Sequence, residues 1–118
     1  MSKKYYTYIL THERDHIFYV GVTNSIERRM SEHKAATYAT HVGHYNIKKL
    51  VYFEEHSDVR IAIRREKTIK KLKREWKINI ITEMNPDWLD LSAHWDLSKY
   101  IKKEIEPKVQ LTRNDNLK

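Results

Sequence analysis

The sequence contains no cysteine, which excludes disulfide scaffolds, thiolate metal sites and cysteine nucleophiles. Glycine and proline occur only twice each among 118 residues. There is accordingly no Gly-rich phosphate loop, and no nucleotide cofactor or nucleotide-dependent phosphoryl transfer is expected. Serine-nucleophile signatures and internal repeats are missing as well. No apolar run approaches the ~20 residues of a membrane-spanning helix, and the N-terminal residues lack a signal-peptide apolar stretch. A cytoplasmic protein without a membrane partner is expected.

What is abundant is positive charge. Lys and Arg number 23 against 16 Asp and Glu, a net charge of +7. The excess is concentrated. Residues 58–77 hold nine basic residues (Arg60, Arg64, Arg65, Lys67, Lys70, Lys71, Lys73, Arg74 and Lys77) against Asp58, Glu66 and Glu75. Residues 78–97 hold Glu83, Asp87, Asp90 and Asp96 and neither Lys nor Arg. A small basic protein with its cations on one helix-forming stretch fits a polyanionic partner. The competing reading is a solvated helix face.

Hydrophobic residues make up 40% of the chain, enough for one modest core in a single domain. Aromatic and β-branched runs predict strands over residues 5–10, 17–22 and 48–54, the first two forming a hairpin. Asn24 is expected to cap a helix, with Glu27 completing a capping box. Residues 35–47 read as a loop with one helical turn. Ser57 is the expected N-cap of a long helix over residues 58–72. A further helix over residues 74–83 offers Trp76, Ile80 and Ile81 to the core and breaks at Asn85-Pro86. Trp95, Leu97 and Ile101 extend the same core. The order predicts an α+β fold, a small mainly antiparallel sheet covered by helices. The expected organisation is a domain over residues 1–91, a helical extension over 92–106 and a disordered tail over 107–118.

Several residues break the local pattern, which is where function tends to reside. With Val59 at the origin of a helical wheel, Ile63 lies at about 40°, Ala62 at about 300°, Ile69 at about 280° and Glu66 at about 340°, placing a carboxylate in the middle of the apolar stripe. Such a group requires a cation, a metal or several donors. On the preceding helix, with Ile26 at the origin, Met30 lies at about 40°, Arg29 at about 300° and His33 at about 340°, so a cation and an imidazole share the inner side. Gly21 sits inside a strand, where glycine permits close backbone approach, and Tyr19 shares its face. The seven histidines show no recognised metal-ligand spacing, so a histidine metal site is not expected.

Tyr19-Val20-Gly21, with Tyr6-Thr7-Tyr8 ahead of it and Glu27-Arg28-Arg29 behind, resembles the GIY-YIG nuclease family, and its small single-domain bacterial members most. Residues 18–33 are similar to the family's core motif almost throughout. Arg64-Arg65-Glu66-Lys67-Thr68-Ile69-Lys70-Lys71-Leu72 looks like its second motif, and the resemblance covers about residues 4–90. The first motif lacks its glycine and isoleucine here. Val22 stands where some relatives carry a lysine.

The resemblance implies a three-stranded antiparallel sheet flanked by helices. It implies hydrolysis of DNA phosphodiesters with one divalent metal ion, Mg²⁺ or Mn²⁺, in a setting of DNA repair or recombination. Carried onto this chain, Tyr8 and Tyr19 match the motif tyrosines, Arg29 the catalytic arginine, Glu66 the metal-binding glutamate and His33 an assisting position. The family asparagine matches Asn79 or Asn85. The chemistry suits the types: an arginine fork holds non-bridging phosphate oxygens, a carboxylate holds Mg²⁺, and either Tyr19 or Tyr8 activates water. Arg64, Arg65, Lys67, Lys70, Lys71 and Lys73 are the expected DNA contacts. With little chain beyond the motif region, a structure-directed or weakly sequence-specific endonuclease is expected. The alternatives are a non-catalytic nucleic-acid-binding module on the same fold and a protein-interaction domain.

Overall fold

Three runs rich in Tyr, Val, Ile and Thr pair into one sheet in the computed structural model, which describes residues 3–12, 17–35, 47–98 and 100. They are β1 (Tyr5–Thr11), β2 (Phe18–Thr23) and β3 (Lys49–His56), in the order β2-β1-β3, with both pairings antiparallel. The helices are α1 (Ile26–Lys34), α2 (Val59–Lys71) and α3 (Arg74–Met84).

Strand alternation divides the core into two halves. Tyr8 and Leu10 of β1 point to one face, where Ile26 and Met30 of α1 cover them together with Leu50 and Leu97. Ile9 points to the other face and packs with Val20, Val51, Ile69 of α2 and Ile81 of α3. The central strand is thus covered on both sides, which is why Thr7 through Thr11 are all buried. The three-stranded antiparallel sheet flanked by helices is the α+β arrangement expected from the sequence.

Helix details differ from expectation. Ser25, not Asn24, caps α1, its Oγ accepting from Arg28 N at 3.4 Å. Asn24 Oδ1 instead takes the Arg28 guanidinium at 2.9 Å. Asp58, not Ser57, caps α2, accepting from Arg60 N at 2.9 Å. The buried stripe of α2 is also turned. Val59 and Ile63 are 38% and 39% exposed, while Ala62 and Ile69 are fully buried. The small Ala62 side chain lets the helix approach the sheet closely enough for Thr7 Oγ1 to donate to the Ala62 carbonyl at 2.8 Å. Trp76, expected in the core, is 54% exposed. It lies about 140° around α3 from Ile81, which takes the core position.

The segment after α3 is tied back to the sheet. Asn85 donates from Nδ2 to the carbonyls of Val51 and Leu89 at 3.1 and 2.8 Å and accepts from Leu89 N. Asp90 accepts from Leu50 N, Ser92 N and, at 2.9 Å, Lys34 Nζ. Trp95 then meets Phe53 edge-on, and Leu97 is buried beside Tyr8 and Met30. The expected loop and turn, apart from residues 35 and 47, lies outside the described residues, as do Ile101 and the tail over 107–118.

Candidate active site

Tyr8 lies at the middle of β1, directly opposite Gly21 of β2. A Cβ at Gly21 would stand 2.6 Å from the Tyr8 hydroxyl and 2.7 Å from its Cζ, so only glycine leaves room for the ring. Tyr19, two residues before Gly21, presents its ring to the same face, 6.3 Å from that of Tyr8. Helix α1 closes over both. His33 stands edge-on to Tyr8 and Tyr19, with ring centroids at 6.0 and 5.4 Å. Its Nε2 shares a 3.3 Å hydrogen bond with the Tyr8 hydroxyl. Arg29 is one turn earlier on the same side. Its Nε lies 3.0 Å from Glu32 Oε1, but the N–H is not aligned on that oxygen, so the pair is an electrostatic contact and the buried donor lacks a hydrogen-bond acceptor.

The electrostatics follow from burial. Removal from water pushes the Tyr8 phenol up to about 12, and neighbouring Tyr19 adds to the effect while Arg29 opposes it. Burial, then the Arg29 cation, lowers His33 to about 4, so its imidazole is neutral at neutral pH. Tyr8 is fully buried and Tyr19 only partly, which leaves the Tyr19 ring as the one with access to solvent.

Four of the expected residues, Tyr8, Tyr19, Arg29 and His33, therefore converge. Glu66 does not join them by a direct contact. Its helix packs on the opposite face of the sheet, and Glu66 flanks the buried stripe instead of lying at its centre. The side chain is 19% exposed and pairs with Lys70 Nζ at 2.8 Å. Helix α2 lies mainly across β1 and the edge strand β2, the strand that also carries Tyr19. Among the described residues no three His, Asp or Glu side chains converge into a metal cage. One oxygen donor with limited exposure, held only by a labile lysine, fits a hard cation that keeps most of its waters, as Mg²⁺ does.

The basic set divides. Arg64, Lys67, Lys70, Lys71 and Lys73 are exposed. Arg65 is committed elsewhere: its Nε is 3.0 Å from Glu54 Oε1 and its terminal nitrogen 2.6 Å from Oε2. Glu54 also accepts from the Tyr52 hydroxyl, and His56 Nε2 lies 2.9 Å from Oε1. Burial, the largest single influence on Glu54, raises its pKa, yet the bonds from Arg65, Tyr52 and His56 together outweigh it and hold the carboxyl at about 2. Sequence reasoning missed this network. Its signal was Tyr52, Glu54 and His56 at every second position of β3, on the face that meets α2. Of the two candidate asparagines, Asn85 is buried with its amide used by backbone groups, and Asn79 lies on the exposed side of α3.

Comparison with known proteins gives a consistent result. The family model described as the GIY-YIG catalytic domain matches residues 4–79. A UPF0213 protein of Clostridium perfringens is 39% identical over 77 residues, covering 65% of this chain and 82% of the relative. A UPF0213 protein of Syntrophus aciditrophicus is 36% identical over 88 residues, covering 74% and 98%. The solution structure of a UPF0213 protein from Bacillus halodurans is similar at 24% identity and a TM-score of 0.49, covering 77% of this chain and 97% of that one. With a match over more than half its length, carrying the tyrosines, arginine and histidine that meet around Gly21, the chain belongs to the GIY-YIG catalytic-domain family.

Proposed function

We propose that this protein is a DNA endonuclease of the cytoplasm, hydrolysing phosphodiester bonds with one Mg²⁺ or Mn²⁺ and acting on DNA structure more than on sequence. The observation that carries the reading is the convergence of Tyr8, Tyr19, Arg29 and His33 on one face of the sheet.

Each of these residues has work that its surroundings favour. Arg29 is partly exposed and carries a planar fork suited to the non-bridging oxygens of a phosphodiester. Tyr19 orients and activates the attacking water, being the tyrosine with solvent access. Tyr8 stays protonated, its phenol pushed up to about 12, and instead holds His33, whose imidazole is neutral and fixed in place against both tyrosines. A divalent ion on Glu66 would supply Lewis-acid stabilisation of the leaving oxygen. Arg64, Lys67, Lys70, Lys71 and Lys73 hold the flanking phosphates.

A second reading, a non-catalytic nucleic-acid-binding module, draws on Val22, which offers no basic nitrogen beside the water-activating tyrosine. Incubation of the purified protein with flapped, branched and linear DNA, in Mg²⁺ or Mn²⁺ and in chelator, separates the two. Metal-dependent cutting abolished in both Arg29→Ala and Glu66→Ala is expected. DNA binding without cutting by the wild type would leave the binding module.

A further inference from the structure

Arg65 directly precedes Glu66, and the two side chains are used very differently. Glu66 keeps one exposed lysine as its partner. Arg65 forms a two-bond fork with Glu54 on β3. The fork is backed from behind, because Glu54 is also held by Tyr52 and His56 of its own strand. The network holds the Glu54 carboxyl ionised and so adds stability, but stability alone does not call for a directional fork and is a thin reason for four side chains to meet.

Position is a better one. Helix α2 grips the sheet through only two buried side chains, Ala62 and Ile69, which lie on either side of Glu66 along the helix. The bond from Thr7 Oγ1 to the Ala62 carbonyl fixes the height of the helix over β1. Rotation about its own axis is left to a contact further along and off to the side. Arg65 supplies that contact, and a planar fork on a carboxylate fixes direction as well as distance. Glu66 is the next residue, so the angle at which its carboxylate leaves the helix is set by the same anchor.

We propose that the Glu54–Arg65 fork, backed by Tyr52 and His56, positions Glu66 to receive a divalent cation; this rests on the endonuclease reading above. Arg65 and Glu54 are positioning residues that touch neither metal nor phosphate. The basic run around Arg65 then serves two ends, with Lys70, Lys71 and Lys73 facing DNA and Arg65 facing the protein.

The test uses the full chain and Mn²⁺ alone, titrated without DNA and followed by the electron paramagnetic resonance of free Mn²⁺. The wild type is expected to bind one ion, and Glu66→Gln to lose it. Arg65→Lys, which keeps the charge but not the fork, and Glu54→Gln are each expected to weaken binding roughly tenfold. Metal-free affinity for flapped DNA stays at the wild-type value in Arg65→Lys, which keeps the charge. In cleavage, the Mg²⁺ concentration for half-maximal rate rises while the rate at saturating Mg²⁺ recovers, a split that a general loss of folded protein would not give. Tyr52→Phe leaves the fork and removes one donor to Glu54, so it gives a smaller change of the same sign and answers where a fork variant fails to fold. Mn²⁺ affinity unchanged in the folded variants overturns the positioning role and leaves the endonuclease reading standing. Reduced metal-free DNA affinity in Arg65→Lys with Mn²⁺ affinity intact overturns it too, making Arg65 a phosphate contact. Mn²⁺ binding that survives Glu66→Gln removes the metal assignment itself, and the fork's role with it.

Discussion

Tyr8 and Gly21 face each other across β1 and β2, and the space that a side chain at Gly21 would occupy is filled by the Tyr8 hydroxyl. Glycine ordinarily weakens a strand. Here it is the condition for a fully buried tyrosine to lie between two strands and a helix and still reach His33. Gly21 of Tyr19-Val20-Gly21 and Tyr8 of Tyr6-Thr7-Tyr8 are therefore one structural unit, although they are thirteen residues apart in sequence.

Gly21→Ala tests that unit. The new methyl group would stand 2.6 Å from the Tyr8 hydroxyl, and the ring is enclosed and cannot retreat freely. A loss of about 1–3 kcal/mol in urea unfolding is expected, the usual range for an overpacked core. Combining it with Tyr8→Leu should cost less than the two single losses added together, because the clash is then gone. Strict additivity would show that the two residues do not share their space.

Acid stability should fall in two stages. His33 is lowered from 6.5 to about 4, so the unfolded chain takes the proton first. Stability from this group is complete above pH 6.5, declines as pH drops toward 4, and then levels, a loss on the order of 2–3 kcal/mol. Glu54 is lowered from 4.5 to about 2, so its contribution is complete above pH 4.5 and is lost as pH falls toward 2. Urea midpoints measured between pH 7 and 3 for the wild type and His33→Asn should separate the stages. The variant is expected to lose the upper stage and keep the lower one.

Much of this was legible in the sequence, and the exceptions have physical reasons. Strands, sheet type and the inward pair Arg29 and His33 follow from periodicity, because α1 has one narrow apolar stripe with Ile26 and Met30 at its centre. Helix α2 was harder. Its apolar stripe ran from Ile69 and Ala62 to Val59 and Ile63, and the fold turns the helix to bury the first pair and expose the second, with Ala62 small enough for close approach to β1. That rotation also moved Glu66 from the stripe's centre to its flank. Trp76 misled because tryptophan is usually buried, and here its place on the helix, not its size, decides. The Glu54 network was invisible because its partner Arg65 lay inside a charge run that looked uniform.

The two tyrosines should separate in kinetics. Tyr19 has solvent access and Tyr8 has none. Tyr19→Phe is expected to lower single-turnover cleavage by roughly 10²–10⁴, the usual scale for a lost acid or base, with DNA affinity retained. Tyr8→Phe keeps the ring's packing and loses the bond to His33, so a smaller loss is expected. A greater loss in Tyr8→Phe than in Tyr19→Phe would reverse the assignment.

The basic run along α2 and the turn after it offers the last prediction, because its residues carry equal charge and unequal freedom. Lys71 and Lys73 are exposed, and each should release about one counterion on duplex DNA, so each alanine variant should reduce the log–log salt slope by about 0.9. Lys70 has a second task, since its ammonium stands 2.8 Å from the Glu66 carboxylate. Lys70→Ala should reduce the slope and also tighten Mn²⁺ binding, because the carboxylate no longer has a competing cation. Arg65→Met should leave the slope unchanged, as that guanidinium is already neutralised by Glu54 at 2.6 Å. Fluorescence anisotropy titrations on one duplex over a range of salt concentrations would measure all four. An equal reduction from Lys71→Ala and Arg65→Met would mean that Arg65 leaves Glu54 for phosphate when DNA arrives. Position on the helix would then count for nothing against net charge. A reduction from the lysines alone would mean that the fold has already decided which cations DNA can use.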